Sequence, residues 1–136
     1  LKTPGSRGLH NGIALPRGFT YDESAAIARA IARRVVDHAP ELTTLERSIK
    51  ARPKGTIYLD YQQNARGKTV ACAWAVRARP AGTVSMPLAW SALRSTLDPA
   101  RFTIASAPRL AAKGQAAWNT VLRRPNPAGR LRALID

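Results

Sequence analysis

Acidic side chains are scarce in this sequence, with 8 Asp plus Glu against 22 Lys plus Arg. The formal net charge of +14 points to a polyanionic partner, since net charge bears on partners and not on fold. Most of the basic excess is arginine, whose planar fork suits phosphate oxygens better than simple solubility requires. Cys72 is the only cysteine, which excludes an intrachain disulfide and a cysteine-based zinc site. It reads as a small buried apolar residue of a cytosolic protein. No apolar run approaches membrane-spanning length and no signal peptide is visible, so no membrane partner is expected. Internal repeats and low-complexity tracts are also missing. What remains is 136 residues, 45% of them hydrophobic, enough for one domain or part of one with a modest core.

Pro4, Gly5, Ser6 and Gly8 mark a loop over residues 1–8. Residues 9–15 alternate as a strand, with Leu9, Ile13 and Leu15 on one face. A helix follows. Thr20 and Glu23 have capping-box spacing; Ile27, Ile31 and Val35 form its buried stripe; Pro40 stops it near Ala39. Arg29 and Arg33 fall on another face, read as solvated. The pattern weakens beyond Arg79, leaving a short helix over Pro87–Leu93 and a longer one over Ala111–Leu122. The tail from Arg123, with Pro125 and Pro127, reads as an exit or linker.

Residues 54–79 are the most informative. Thr56–Tyr61 and Lys68–Arg79 read as strands joined by a turn at Asn64-Ala65-Arg66-Gly67, which predicts an antiparallel β-hairpin. In that register Asp60 lies opposite Ala71 and Lys54 opposite Arg77. Ile57, Leu59, Tyr61, Val70, Cys72, Trp74 and Val76 then form a core face. Tyr58, Asp60, Arg77 and Arg79 share the other face over a floor of alanines, with Lys54 nearby. Like charges held across a hairpin repel, and a phosphate would relieve them. The alternative is a solvated face on which Asp60 pairs with one arginine.

The string Lys2-Thr3-Pro4-Gly5-Ser6-Arg7-Gly8-Leu9-His10 resembles the second motif of the primase-polymerase family attached to bacterial multifunctional ATP-dependent DNA ligases. The run from Ile57 to Thr69, centred on Asp60-Tyr61-Gln62-Gln63-Asn64, is similar to its third motif. Val76-Arg77-Ala78-Arg79-Pro80, Val84–Trp90, and the spacing of Lys113, Gly114 and Trp118 resemble the segments that follow. The resemblance implies an α+β, partial archaeo-eukaryotic primase-like fold, with an antiparallel hairpin and sheet packed with helices. It implies nucleotidyl transfer to broken DNA ends in non-homologous end joining, with DNA and nucleoside triphosphate as partners. Under it, Asp60 is the catalytic metal carboxylate for Mn²⁺ or Mg²⁺. Ser6, Arg7, His10, Lys54, Arg77 and Arg79 then contact nucleotide or DNA phosphates. A lone histidine such as His10 is otherwise more often structural.

Departures accompany the resemblance. Pro4 stands where serine is usual, Pro53 where arginine is common, and Ser91 and Gln115 where acidic residues are usual. The family's first motif, a pair of aspartates, has no counterpart. Two-metal transfer needs several carboxylates around two ions, and Asp60 is the only candidate in a suitable setting. Residues 1–136 are therefore expected to form the C-terminal half of such a domain. Catalysis would then require the missing carboxylates, from a separate N-terminal half or a ligase component, so whether the chain is itself an enzyme stays open. The alternative is a non-catalytic basic nucleic-acid-binding module. Either would work in the bacterial cytoplasm, at the nucleoid.

Overall fold

A computed structural model describes residues 1–136. Along the chain lie α1 (Tyr21–His38), β1 (Thr43–Thr44), β2 (Ile57–Tyr58), α2 (Ala107–Arg123) and α3 (Ala128–Arg132), with 3₁₀ turns at Trp90–Ala92 and Pro99–Arg101. This is a small α+β chain whose only regular sheet is parallel. It divides into two compact units, residues 1–14 with 71–125, and residues 15–70 with 126–136.

In the first unit the alternation Thr83-Val84-Ser85-Met86-Pro87-Leu88 forms a central extended segment. Val84, Met86 and Leu88 are buried with Leu1 and Ala107 as one apolar cluster. Successive residues of an extended chain turn their peptide groups to opposite edges, so this segment has two sets of partners. Along one edge Trp74 N–H donates to Ser85 O, Ser85 N–H to Ala75 O, and Arg77 N–H to Thr83 O, each at 2.8 Å. Along the other, Val84 N–H donates to Phe102 O at 2.7 Å, Thr3 N–H to Met86 O at 2.8 Å, and Leu88 N–H to Leu1 O at 2.9 Å. The Val76–Val84 pairing is antiparallel and is closed by a turn in which Gly82 N–H donates to Arg79 O at 2.8 Å. Pro80 holds the second position of that turn, where its fixed φ fits, and Gly82 the fourth. Helix α2 lies close against this layer. Its buried Gly114 leaves so little room that a Cβ there would sit 2.9 Å from both Pro87 O and Trp74 Cη2.

The second unit is built on α1. Glu23 N–H donates to Thr20 Oγ1 at 3.1 Å and Thr20 N–H to Glu23 Oε2 at 2.7 Å, closing the predicted capping box. The helix ends at Ala39, before Pro40, as expected. Its buried face is centred on Ile27 and Ala32; Val35 is exposed, so the stripe turns further round the helix than the four-residue spacing predicts. Thr43 caps the return, its hydroxyl donating to Ala39 O at 2.8 Å. Then β1 pairs in parallel with β2, Thr43 with Ile57 and Thr44 with Tyr58. A parallel pair needs a long connection. Here Arg52 folds that connection in, donating to Glu46 O and Arg47 O at 3.1 Å and lying 4.7 Å from the centre of the Tyr58 ring. The expected linker is instead the short helix α3. Its Leu131 is buried, and its Arg132 lies 5.1 Å from the Phe19 ring centre and 3.5 Å from the Glu23 carboxylate.

The expected hairpin of 56–61 with 68–79 is not formed. Each arm has another partner: β2 takes β1, and Trp74–Arg77 take Thr83–Ser85. Its core face fails with it, since Ile57 is 65%, Val76 57% and Val70 51% exposed, and Cys72 is also exposed. Antiparallel pairing survives only as isolated bridges, and the strand over 9–15 shrinks to one between Lys2 and His10. The helix over Pro87–Leu93 is a 3₁₀ turn, while the later helix begins earlier than expected, at Ala107.

Candidate functional site

The loop after Thr3 is tied to the central segment of the first unit by buried hydroxyls. Thr3 Oγ1 donates to Val84 O at 3.1 Å and accepts Met86 N–H at 2.9 Å. Ser85 Oγ donates to Thr3 O at 2.8 Å, and Thr83 Oγ1 to Gly5 O at 2.5 Å. Thr3 and Ser85 are fully buried, so each of these bonds forms out of reach of water, where an unpaired hydroxyl would be costly. The loop from Gly5 to His10 thus rises from a rigid base.

Gly5 sits at the join. Its φ of +69° is a left-handed value that side chains rarely adopt, and the aliphatic stem of Arg77 crosses directly over its Cα. A Cβ there would collide with Arg77 Cγ and lie 3.3 Å from Cδ. The bare backbone lets the Arg77 stem pass over the start of the loop that carries Ser6 and Arg7. Arg7 and Arg77 are both exposed, and Ser6 is half-buried. Arg79 is exposed at the start of the neighbouring turn, its N–H donating to Arg77 O at 2.7 Å.

Beneath the loop lies a charge that sequence reasoning did not assign. Lys2 is 5% exposed; its Nζ donates to Ala71 O at 2.7 Å and Ser85 Oγ at 2.9 Å, and lies 2.9 Å from His10 Nδ1. Burial holds its pKa below the usual lysine range, with the Cys72 thiol opposing and the Arg77 guanidinium adding to the depression. The signal that could have located it is the period-two run Thr83–Leu88, whose Ser85 faces the same edge as the strand beside it. The first unit therefore joins Ser6, Arg7, His10, Arg77 and Arg79 around one loop and one turn, with Lys2 below.

Asp60 and Lys54 belong to the second unit, flanking β2, and both are exposed. Asp60 Oδ1 accepts Gln62 N–H at 3.0 Å, a local turn bond. Desolvation, followed by the nearby Asp60 carboxylate, pushes the Tyr58 phenol above its usual pKa, while Arg47 and Arg52 oppose. The hairpin register that placed Asp60 on one face with Arg77 and Arg79 is not formed, because its two arms pair elsewhere. No group of three or more His, Cys, Asp or Glu side chains converges as a metal cage. The donor set present is thus one exposed carboxylate, which does not fit a two-ion site. No helix is long and apolar enough to cross a membrane.

Comparison with known proteins places this sequence in a family. The bifunctional non-homologous end joining protein LigD of Bacillus subtilis is 43% identical over 104 residues, which cover 76% of this chain and 17% of that protein. The multifunctional non-homologous end joining protein LigD of Pseudomonas aeruginosa is 32% identical over 109 residues, 80% of this chain and 13% of its own length. The corresponding protein of Mycolicibacterium smegmatis is 31% identical over 90 residues, 65% of this chain and 11% of its own. The chain thus spans less than a fifth of these relatives. The family described as "LigD, primase-polymerase domain" matches residues 1–118, which take in the Gly5–His10 loop, Asp60, Arg77 and Arg79 together, and the chain belongs to that family.

Proposed function

We propose that this chain is a repair-polymerase-like domain of non-homologous end joining that holds the phosphates of a nucleoside triphosphate or a DNA end at the Gly5–His10 loop. The passage of the Arg77 stem over Gly5 carries the proposal. The same loop carries Arg7 and Ser6, and arginine forks match phosphate oxygens in geometry as well as charge. Arg79 extends the same basic edge. Lys54 and Asp60, in the other unit, are the third-motif part of this reading. The relatives named above, as non-homologous end joining proteins, supply the DNA-repair setting.

Nucleotidyl transfer by the family scheme calls for Mn²⁺ or Mg²⁺, which the lone exposed Asp60 does not hold by itself. On this reading, transfer needs carboxylates beyond Asp60. That donor set also favours a second reading, a non-catalytic basic module that binds nucleic acid through the same loop. Titration of the chain with a nucleoside triphosphate, followed by calorimetry, tests the site. Arg77→Ala should weaken binding about tenfold or more, the scale of one charge-assisted contact of roughly 1.5–3 kcal/mol. Unchanged affinity would remove the loop as a phosphate site. Primer extension by the chain with Mn²⁺, abolished in Asp60→Ala, would decide for the polymerase against the module.

A further inference from the structure

We infer that the cavity between Arg94 and Arg101 is a second phosphate site of the first unit, formed by none of the residues of the Gly5–His10 loop. It takes one nucleotide unit of a DNA strand, with the phosphate on the two guanidinium groups and the sugar and base against Leu97, Phe102 and Leu110. The starting observation is where the charge lies. The first unit carries ten Lys and Arg against a single acidic side chain, Asp98; the second carries twelve against seven, and together they make the 22 and 8 of the chain. The first unit thus holds +9 (10 − 1) of the net +14. A polyanion meeting the chain is drawn to that unit, and the loop accounts for only part of its basic residues.

The local sequence builds the cavity from two successive turns. Arg94 opens the first, which Leu97 N–H closes by donating to Arg94 O at 2.9 Å; Arg101 ends the second, the 3₁₀ turn Pro99–Arg101. Asp98 stands between them. Its Oδ1 accepts Ala100 N–H at 2.9 Å, capping the second turn, and it pairs with neither arginine, since the chain's one ion pair joins Arg132 to Glu23. Arg94 Nε makes a single long bond, to Ser91 O at 3.4 Å, and the Arg101 guanidinium makes none. Both arginines are exposed, and with Leu97, Phe102 and Leu110 they line a cavity of about 300 Å³, the lower end of the roughly 300–1,000 Å³ of small-ligand sites. Its floor is built in advance: Leu97 and Phe102 pack on the core cluster of Val84, Met86 and Leu88, and Ser106 Oγ, donating to Arg101 O at 2.6 Å, ties the second turn to the start of α2. Cations with unused donors beside an apolar, partly aromatic floor match a nucleotide, which is anionic at its phosphate and apolar on the faces of its base. An acidic protein segment could meet the same cations; the choice of DNA over it rests on the end-joining reading above.

The test follows the Arg94 and Arg101 Nε–Hε resonances and the Phe102 amide in ¹⁵N–¹H spectra of the whole chain, titrated with a short oligothymidylate at fixed ionic strength. All three should shift together and saturate, in the wild type and equally in Arg77→Ala. Unmoved cavity resonances at saturating oligonucleotide overturn the inference, and so do cavity shifts that vanish in Arg77→Ala, which would make the cavity part of the loop's site. Shifts at the cavity with none at the Gly5–His10 loop defeat the loop reading and leave this one standing. Thymidine monophosphate offers the same chemistry as a free molecule and should bind more weakly than the strand; tighter binding of the mononucleotide would make this a free-nucleotide site and sink the strand. A glutamate-rich peptide that shifts the cavity where the oligonucleotide does not would assign it to a protein partner instead. Affinities of a labelled oligothymidylate then separate a site from bulk charge. Replacing Arg94 and Arg101 together by alanine should weaken binding about tenfold or more, the scale of charge-assisted contacts, whereas replacing Arg29 and Arg33 should cost less than about twofold. Asp98→Asn acts in the opposite direction: its amide oxygen can still cap Ala100 N–H, while the cavity's one anion is gone. Affinity should rise, and by more than in Asp37→Asn, which removes one negative charge from the exposed side of α1. Equal gains in these two variants, or equal losses in the two arginine pairs, would leave only diffuse attraction and no site between Arg94 and Arg101.

Discussion

Lys2 is a charged side chain buried within the first unit. Its amine is removed from water and lies within hydrogen-bond distance of a carbonyl, a hydroxyl and a ring nitrogen from residues 71, 85 and 10. Full satisfaction makes the burial tolerable, yet desolvation still lowers its pKa from 10.5. The sign of the stability effect follows. Between the lowered value and 10.5 the unfolded chain holds a proton that the folded chain has released, so folding becomes more favourable as pH rises through that window. Below the lowered pKa the cost of burying the charge is constant. Stability of the first unit, followed by tryptophan fluorescence in urea, should therefore rise from pH 8.0 towards 10.0. All three tryptophans, Trp74, Trp90 and Trp118, lie in that unit, which makes the signal selective. The lower limit avoids the Leu1 amino group, whose ordinary pKa is 8.0, and the upper avoids the Tyr58 phenol, whose own is 10.0. Lys2→Met should abolish the rise; a rise that persists in the variant would assign it to another group.

Among the elements, α2 offers the clearest contest between two opposing effects. Replacing glycine by alanine inside an exposed helix gains about 1 kcal/mol, because alanine loses less backbone freedom. Gly114 is buried, and the added methyl would sit 2.9 Å from Pro87 O and Trp74 Cη2 and 3.1 Å from Met86 Cε. The carbonyl belongs to the central segment and the indole is tethered by its N–H to Gln115 Oε1 at 3.1 Å, so neither yields easily. Overpacking of this kind costs about 1–3 kcal/mol, and Gly114→Ala should lower stability on balance. A stabilised variant in a urea melt would mean that α2 stands further from the layer than the structure places it. The elements also show what a sequence reveals of its fold. Helix α1 was legible because its signals are local: Thr20, Glu23 and Pro40 fix both ends within its own length. The hairpin was not, because Asn64-Ala65-Arg66-Gly67 and Arg79-Pro80-Ala81-Gly82 both carry good turn chemistry. The choice falls to pairing with Thr83–Ser85, whose alternation continues into the buried Met86 and Leu88. The site divides in the same way. Ser6, Arg7, His10 and Arg77 stand in the motif strings, whereas the burial of Lys2 depends on partners at residues 10, 71 and 85.

For the whole molecule the question is whether binding of DNA is a property of a place or of the net charge of +14. Any basic protein attracts a duplex, releasing condensed counterions, so its affinity falls with salt by a log–log slope of about −0.9 per phosphate neutralised. A diffuse cloud and a built site therefore look alike in a single titration. They differ in which arginines matter. Arg77 and Arg79 lie at the start of the turn after Val76, with the Arg77 stem over Gly5, whereas Arg29 and Arg33 are exposed on α1. Both double substitutions to alanine remove two charges and leave the chain at +12 (14 − 2). If phosphates sit at the loop, the Arg77/Arg79 variant should lose affinity on every DNA sequence alike, since phosphate contacts orient a duplex without reading its bases. Its salt slope should become shallower by roughly 1.8, two phosphates' worth. The Arg29/Arg33 variant should keep the wild-type slope and lose little. The measurement is fluorescence anisotropy of a labelled duplex across a salt series, with both variants at matched ionic strength. Equal losses and equal slopes in the two variants would show that the chain meets DNA through its overall charge, and that the loop beneath Arg77 is not where the phosphates go.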